Sequence, residues 1–483
     1  MIPKVDFLWH GRMVRWILSA WMVQTSFMGY AHPLQDSFPD RILSEKVFLS
    51  VLRAYHPVIK QADLDVKSAV AGITAVRGAF DPLLTTTSLR KRFGSDLYYD
   101  YYNSELVIPT WYGIEVYTGV ENINGARVNS ESTLGQTSYL GVSVPLLKDL
   151  VLDKRRAMLQ QARLFTGQSK AERDQAINDL SFDAVSAYWN WSREFQNLQV
   201  IGQAVKINED RLRLVKLEIL QGNRPAIDSI EAQTQLQQFQ LLNREIALKF
   251  LNAGLELSAY LWKQDGTPYS IPEHVLPDPL NGKVEISEEL PEMESLIQWA
   301  RINHPKLRSI SYKMDWLGIE QKLKWQGLLP KLDIKANLLN KGYGVLSGYD
   351  KYLLGNNYKF GIDFRLPLRL SEARGEYRQS KFKLEQTGLE RDMTQLLIDN
   401  KIKGYFNETL NLRGQIGIQA SALENYRKLL EGELMRFRIG ESSLFLVNSR
   451  EQKFLEAQQK LIELETKYYK SRAGILWATG KLL

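Results

Sequence analysis

No proline occurs between Pro145 and Pro225, and none between Pro367 and Leu483. Both spans are rich in Leu, Gln, Glu, Lys, Arg and Ala, all good helix formers. A single helix from 150 to 220 would be on the order of 105 Å long at 1.5 Å per residue, longer than a compact domain. The second span shows how such length is accommodated. Val447, Phe454, Leu461, Tyr468, Ile475 and Leu482 recur every seven residues, with a companion row at Ala457, Leu464, Ser471 and Ala478. This spacing predicts coiled-coil helices rather than the three or so globular domains that 483 residues would ordinarily suggest.

Such helices must reverse, and the helix breakers show where. Gly222-Asn223-Arg224-Pro225 places a helix-ending glycine before a helix-starting proline, putting the first tip near 222–226. Gly440-Glu441-Ser442-Ser443 does the same near 440–443, with the serines available to cap the returning helix. Both sites read as polar tips of helical hairpins, and Gly222, Asn223, Arg224, Gly440, Glu441, Ser442 and Ser443 as the surface on which an end-on partner would dock.

The two hairpins belong to two copies of one pattern. His56-Pro57 leads a helical stretch that ends at Pro82, and His304-Pro305 leads another that ends at Pro330, with the same proline-to-proline spacing. Each copy then passes through a strand region ending in a proline, at Pro145 and Pro367. Glu172-Arg173-Asp174 answers to Glu390-Arg391-Asp392, and Tyr188-Trp189-Asn190 to Tyr405-Phe406-Asn407. The order of features predicts a tandem duplication, 32–262 and 293–483. The join, 263–292, carries Pro268, Pro272, Pro277, Pro279 and Pro291 and reads as a linker around the body.

Strict alternation marks the strands of the second copy, at 331–340 and 358–367. Leu332, Ile334, Ala336 and Leu338 alternate with Asp333, Lys335 and Asn337, while Phe360, Ile362 and Phe364 alternate with Gly361, Asp363 and Arg365. A charged face opposite an apolar one suits a membrane barrel with lipid outside, and makes Asp333, Lys335, Asp363 and Arg365 candidate lumen residues. The first copy offers strands at 83–91 and 136–145. Between them lies an insert with Tyr98, Tyr99, Tyr101, Tyr102, Trp111, Tyr112 and Tyr117, suited to a membrane-interface belt or an external loop. Four strands cannot close a pore. Two copies of the chain would give eight and a filled barrel, so twelve strands from a homotrimer is the expectation.

Arg12 and Arg15 ahead of the apolar run Trp16 to Met28, with Gly29 and Ala31 at a cleavage position, predict a signal peptide over 1–31. The net charge of +7 falls to +5 once that segment is set aside, too weak to suggest nucleic acid as a partner. The absence of cysteine excludes disulfides and thiolate metal sites, and the five histidines are scattered. Gly342-Tyr343-Gly344 with Gly348 reads as a strand turn rather than a nucleotide cradle. No catalytic constellation, cofactor or metal site is therefore expected. The alternative to a duct is an exported coiled-coil spacer or surface stalk without a pore, which would leave the charged strand face without a use.

The duplicated His-Pro helices at 56 and 304, the strand ends at Pro145 and Pro367, and the hairpin reversals from Gly222 to Ala232 and from Gly440 to Arg450 together resemble the TolC family of outer-membrane efflux proteins. The resemblance covers about 43 to 483. It implies a mainly α fold with a membrane β-barrel: a trimeric 12-strand barrel in the outer membrane continued into the periplasm by an α-helical tunnel. It further implies a non-catalytic duct working with a periplasmic adaptor and an inner-membrane pump or ABC exporter. The family's tip pattern is matched by Asp228-Ser229-Ile230-Glu231-Ala232, which makes Asp228 a candidate at the tunnel constriction. The family's aromatic residue is present as Phe437. The arginine and two acidic residues of the best-known members are replaced by Ser442, Leu446 and Ser449, so no acidic gate ring is expected. Phe437, Asn448 and Arg450 complete the constriction candidates.

Overall fold

The computed structural model describes residues 42–129, 133–272, 274–278, 290–344 and 357–482, so the expected signal peptide lies outside the described residues. A two-residue strand, β1 (Ile42–Leu43), precedes helices α1 (Glu45–Tyr55) and α2 (Pro57–Arg77). After one 3-10 turn the chain enters β2 (Leu83–Phe93), β3 (Asp96–Pro109), β4 (Glu115–Asn124) and β5 (Gly135–Pro145). The helices α3 (Lys154–Leu220) and α4 (Ile227–Ser258) form the first hairpin, and β6 (Leu276–Pro277) follows in the join. The second repeat runs α5 (Met293–Asn303), α6 (Pro305–Gln326), β7 (Lys331–Lys341), β8 (Tyr358–Arg365), α7 (Ser371–Arg438) and α8 (Leu444–Ala478).

The duplicated His-Pro pairs have one structural job. His56 Nδ1 accepts the Val58 N–H at 3.2 Å and His304 Nδ1 accepts the Lys306 N–H at 3.1 Å, so each imidazole caps a helix whose first residue is proline. α3 has 67 residues and α7 has 68, each about 100 Å long at 1.5 Å per residue. Asp153 caps α3 by accepting the Arg156 N–H at 2.7 Å. On α8 the sevenfold row and its companion are the packed faces: Val447, Tyr468, Ile475, Ala457, Leu464, Ser471 and Ala478 are all buried. The largest core sits midway along the helices, where Phe48, Tyr188, Trp191 and Leu257 are fully enclosed. There the Tyr188 hydroxyl donates to the Leu43 carbonyl at 2.9 Å, and β1 pairs in parallel with β6 of the join. Residue 273 and residues 279–289 of that join lie outside the described residues.

The sheet departs from expectation in number. Its order is β2-β3-β4-β5-β7-β8, six strands, every neighbouring pair antiparallel. The expected four strands are β2, β5, β7 and β8, and the Tyr-rich insert adds the hairpin β3-β4 between the first two. Period 2 is hard to read in the insert because tyrosines occupy consecutive positions and so stand on both faces. With six strands per chain among the described residues, two copies would already supply twelve, and strand number alone no longer selects three. β8 stops at Arg365, short of the expected 367, because Pro367 has no N–H to continue the ladder.

Candidate functional site

Both hairpin tips close by the same backbone device. Gly222 (φ 76°) and Gly440 (φ 82°) take the left-handed conformation that favours glycine. The N–H of Asn223 donates to the Glu218 carbonyl at 2.9 Å, and that of Glu441 to the Arg436 carbonyl at 2.9 Å. These bonds satisfy helix-end carbonyls that would otherwise be unpaired. Ser443 then caps α8, accepting the Leu446 N–H at 3.4 Å. The Ser442 hydroxyl donates to Glu433 at 2.6 Å.

The two tips meet within one chain. The Arg224 guanidinium lies 3.8 Å from the centroid of the Phe437 ring, a cation–π contact, and donates to the Phe437 carbonyl at 3.3 Å. The same arginine pairs with Glu218 and, at 3.5 Å, with Asp228. Phe437 is buried in the packing between the hairpins, with Leu212, Leu236, Leu444 and Val447. Asp228 and Phe437 are thus brought together through Arg224.

The other two candidates fall into separate contacts. Asn448 is buried, donates to Glu231 of α4 at 3.3 Å and accepts from Arg211 of α3 at 3.3 Å. Arg450 approaches Glu433 at 3.7 Å. Sequence reasoning missed the strongest link here. Arg211 of α3 and Glu451 of α8 form a paired-nitrogen ion pair at 2.6 and 2.9 Å, its side chains only 10% and 6% exposed, with Asn208 donating to Glu451 at 3.1 Å. A usable signal existed. Glu451 lies four residues after Val447 and four before Leu455, a charge within an otherwise apolar row.

At the other end of the molecule, register places the strand candidates. Asp333 is opposite Asp363, and Lys331 opposite Arg365, so Asp333, Lys335, Asp363 and Arg365 share one face. Lys331 pairs with Asp333 at 3.0 Å and Arg365 with Asp363 at 2.6 Å. The other face carries Leu332, Ile334, Ala336 and Leu338 with Phe364, Ile362, Phe360 and Tyr358, and Val142 and Leu140 continue it onto β5. Ile362 and Phe364 are 61% and 59% exposed in the single chain, large apolar groups with nothing over them. Among the described residues, no helix is long and apolar enough to cross a membrane.

Residues 296–481, the body of the second repeat, match the family model described as outer membrane efflux protein. No curated protein sequence matches the chain. Solved structures match over nearly its whole length. The outer membrane protein VceC of Vibrio cholerae aligns at TM-score 0.64 and 14% identity, covering 90% of this chain and 96% of that one. The CmeC outer membrane channel of Campylobacter jejuni gives 0.62 at 15%, covering 90% and 85%. The open-state MtrE outer membrane channel of Neisseria gonorrhoeae gives 0.63 at 13%, covering 91% and 89%. The likeness establishes the fold, that of an outer-membrane channel subunit, and agrees with the TolC resemblance carried by the motifs.

Proposed function

We propose that this chain, whose second repeat matches the outer-membrane efflux proteins and whose whole fold is that of an outer-membrane channel, is one subunit of a homotrimeric exit duct. The duct sits in the outer membrane and extends into the periplasm. It conducts passively, receiving substrate from a periplasmic adaptor seated on an inner-membrane pump, and the energy comes from that pump. Residues 1–31 serve as the export signal, 32–262 and 293–483 as the two repeats, and 263–292 as the band between them. The charged sheet face, with Asp333, Lys335, Asp363 and Arg365, lines the lumen.

The observation that carries this reading is that the chain is one open-edged stave with matching edges at both levels. β2 and β8 end the sheet order and so present unpaired ladder groups, which lipid cannot satisfy. Strand direction alternates across the six, so β8 of one copy would meet β2 of the next antiparallel. In the helical layer α3 and α8 are central, and α4 and α7 flank them. Each flanking helix carries an uncovered row at sevenfold spacing, at different levels: Leu241, Leu248 and Leu255 on α4 in the half nearer the tips, and Phe382, Leu389 and Leu396 on α7 in the half nearer the sheet. A head-to-tail interface of this kind closes into a ring. Such a ring covers both sheet edges and both apolar rows at once.

At the periplasmic end the tips form the adaptor-docking surface. The ties between hairpins, Arg211 to Glu451, Arg224 to Phe437 and Glu231 to Asn448, hold the constriction closed. Native mass measurement in detergent together with single-channel recording in planar bilayers tests the reading. A membrane-inserted trimer with a low resting conductance is expected, and a stable water-soluble monomer would overturn it.

A further inference from the structure

We propose that the Tyr-rich hairpin β3-β4 stands in the barrel wall, so that the closed barrel has eighteen strands and is as wide as the helical tunnel it caps. This rests on the trimeric duct proposed above. Six strands from each of three copies make eighteen.

The hairpin has the length and anchorage of wall strands. β3 has 14 residues and β4 has 10, enough to cross a bilayer, which takes about 9–11 residues in a tilted strand. β3 pairs with β2 along Leu83–Phe93 and β4 with β5 along Glu115–Ile123, so both are laddered along nearly their whole course. Their connecting turn lies at the helical end. There Trp111 stacks on Phe80 with ring centroids 4.2 Å apart, and Glu115 pairs with Arg155 of α3 at 2.9 Å. The turn is therefore tied to the first turn of α3 and to the segment that follows α2, at the level where β5 gives way to α3.

The faces continue through the insert. Register puts Leu106, Ile108, Val116 and Val120 on the face of Val142 and Ile362, interspersed with Ser104, Thr118 and Asn122 and ending at the Arg90–Asp100 ion pair away from the helices, and Asn103, Glu105 and Glu121 on the face of Lys335 and Asp363.

Girth supplies a further reason for six strands. Strands about 4.8 Å apart and tilted about 40° each occupy roughly 6.3 Å of circumference, so six span about 38 Å and four only about 25 Å. Four helices enter or leave the sheet in each chain, α2, α3, α6 and α7, and they pack side by side in that order. At interaxial distances of 8–10 Å they span roughly 32–40 Å. Six strands at this tilt match that arc. Three copies then give a backbone diameter of roughly 36 Å against roughly 24 Å for twelve strands, the size at which barrels hold an open aqueous channel. Size discrimination is thereby left to the tips, and cargo as bulky as a polypeptide passes the membrane section.

Electron microscopy of the native assembly in lipid nanodiscs, read in section at the membrane, tests this. Eighteen strands with about twice the cross-section of a twelve-strand ring are expected. A twelve-strand wall of three copies with β3-β4 inside or outside it overturns the proposal while leaving the duct standing, and a twelve-strand ring of two copies overturns the trimer together with it. Absence of any membrane ring defeats the duct reading itself. The cysteine-free chain permits an independent check. In proteoliposomes Glu121→Cys should react with a water-soluble maleimide and Val116→Cys only with a lipid-dissolved one. Water labelling of both, at equal rates, overturns the placement.

Discussion

Tyr139 on β5 lies across Gly119, its direct register partner on β4, and its hydroxyl passes over that strand to donate to Glu105 of β3 at 2.8 Å. The neighbouring pair is reversed. Tyr117 of β4 lies across Gly141 of β5 and donates to Asn337 of β7. Two tyrosines resting on two glycines thus stitch β3, β4, β5 and β7 together on the charged face. Glycine is required at both positions for close approach, and the aromatic ring restores the packing that a missing side chain forfeits.

Gly119→Val and Gly141→Val should each displace the partner tyrosine and loosen the insert from the sheet. A Cβ at Gly119 would stand 2.6 Å from Tyr139 Cζ, well inside contact distance. The fraction of oligomer surviving mild heating in detergent should fall for both variants. Gly361→Val, where a Cβ meets open space, should leave that fraction near the parent value.

The sheet's polarity should hold residue by residue. Ile362→Arg or Phe364→Arg near the bilayer midplane should cost about 2–4 kcal/mol, whereas Asp363→Arg on the charged face should chiefly change conductance and ion selectivity. Assembly yield in membranes, compared across the three variants, checks the assignment. Equal losses would mean that the sheet is not in lipid, and a larger loss at Asp363 that the faces are reversed.

Much of this was readable from the residues, and the gaps have physical causes. Alternation in 331–340 and 358–367 exposed two strands because one face is wholly apolar and the other carries the charges. Gly222 and Gly440 announced the reversals because a helix-ending left-handed turn favours glycine. The insert resisted reading for the converse reason: Tyr98, Tyr99, Tyr101 and Tyr102 put similar side chains on both faces of β3. Glu451 stood out as a charge within an apolar row, but its partner Arg211 did not, since nothing local to either residue says which opposite charge it will meet. Phe437 was expected at a constriction, and the structure places it in the packing between hairpins, under Arg224.

His304 should make the helical body sensitive to acid. Burial pulls its pKa down to about 4 from an ordinary 6.5, since a charged imidazole is poorly solvated there, and His56 is lowered in the same direction by the same cause. The unfolded chain binds a proton first as pH falls, so the contribution is complete above pH 6.5 and is lost progressively towards pH 4, on the order of 3 kcal/mol in all. His304→Asn keeps a side chain able to cap α6 but cannot titrate. Denaturant midpoints at pH 7 and 4.5 should converge more in this variant than in the parent, and an unchanged pH dependence would show that His304 is not the responsible group.

The apolar rows on the flanking helices should govern assembly. Leu389→Glu on α7 or Leu248→Glu on α4 changes a residue 67% or 59% exposed in the single chain, so folding of that chain should be little affected. In the ring either carboxylate would be buried against the next copy without a partner. Monomer should accumulate in detergent at concentrations where the parent is assembled, with unchanged helix content by circular dichroism.

Breaking the buried tie at the tips should open the duct. Glu451→Ala leaves the Arg211 guanidinium nearly enclosed with its main counter-charge gone, a loss of about 3–5 kcal/mol for pairs of this kind. Because α3 and α8 belong to different hairpins, that energy resists their separation, and resting single-channel conductance should rise. Arg224→Ala removes the cation over Phe437 and the contact with Asp228, so it should act in the same direction and more weakly, its ion pair with Glu218 being partly exposed. The double change Arg211→Met with Glu451→Leu separates charge from packing. Apolar side chains of similar volume can replace a buried pair at little cost, so this variant should return towards the closed conductance. If Glu451→Ala conducts like the parent while substitutions on the barrel's charged face alter conductance, the narrowest point lies elsewhere and the tips serve docking alone.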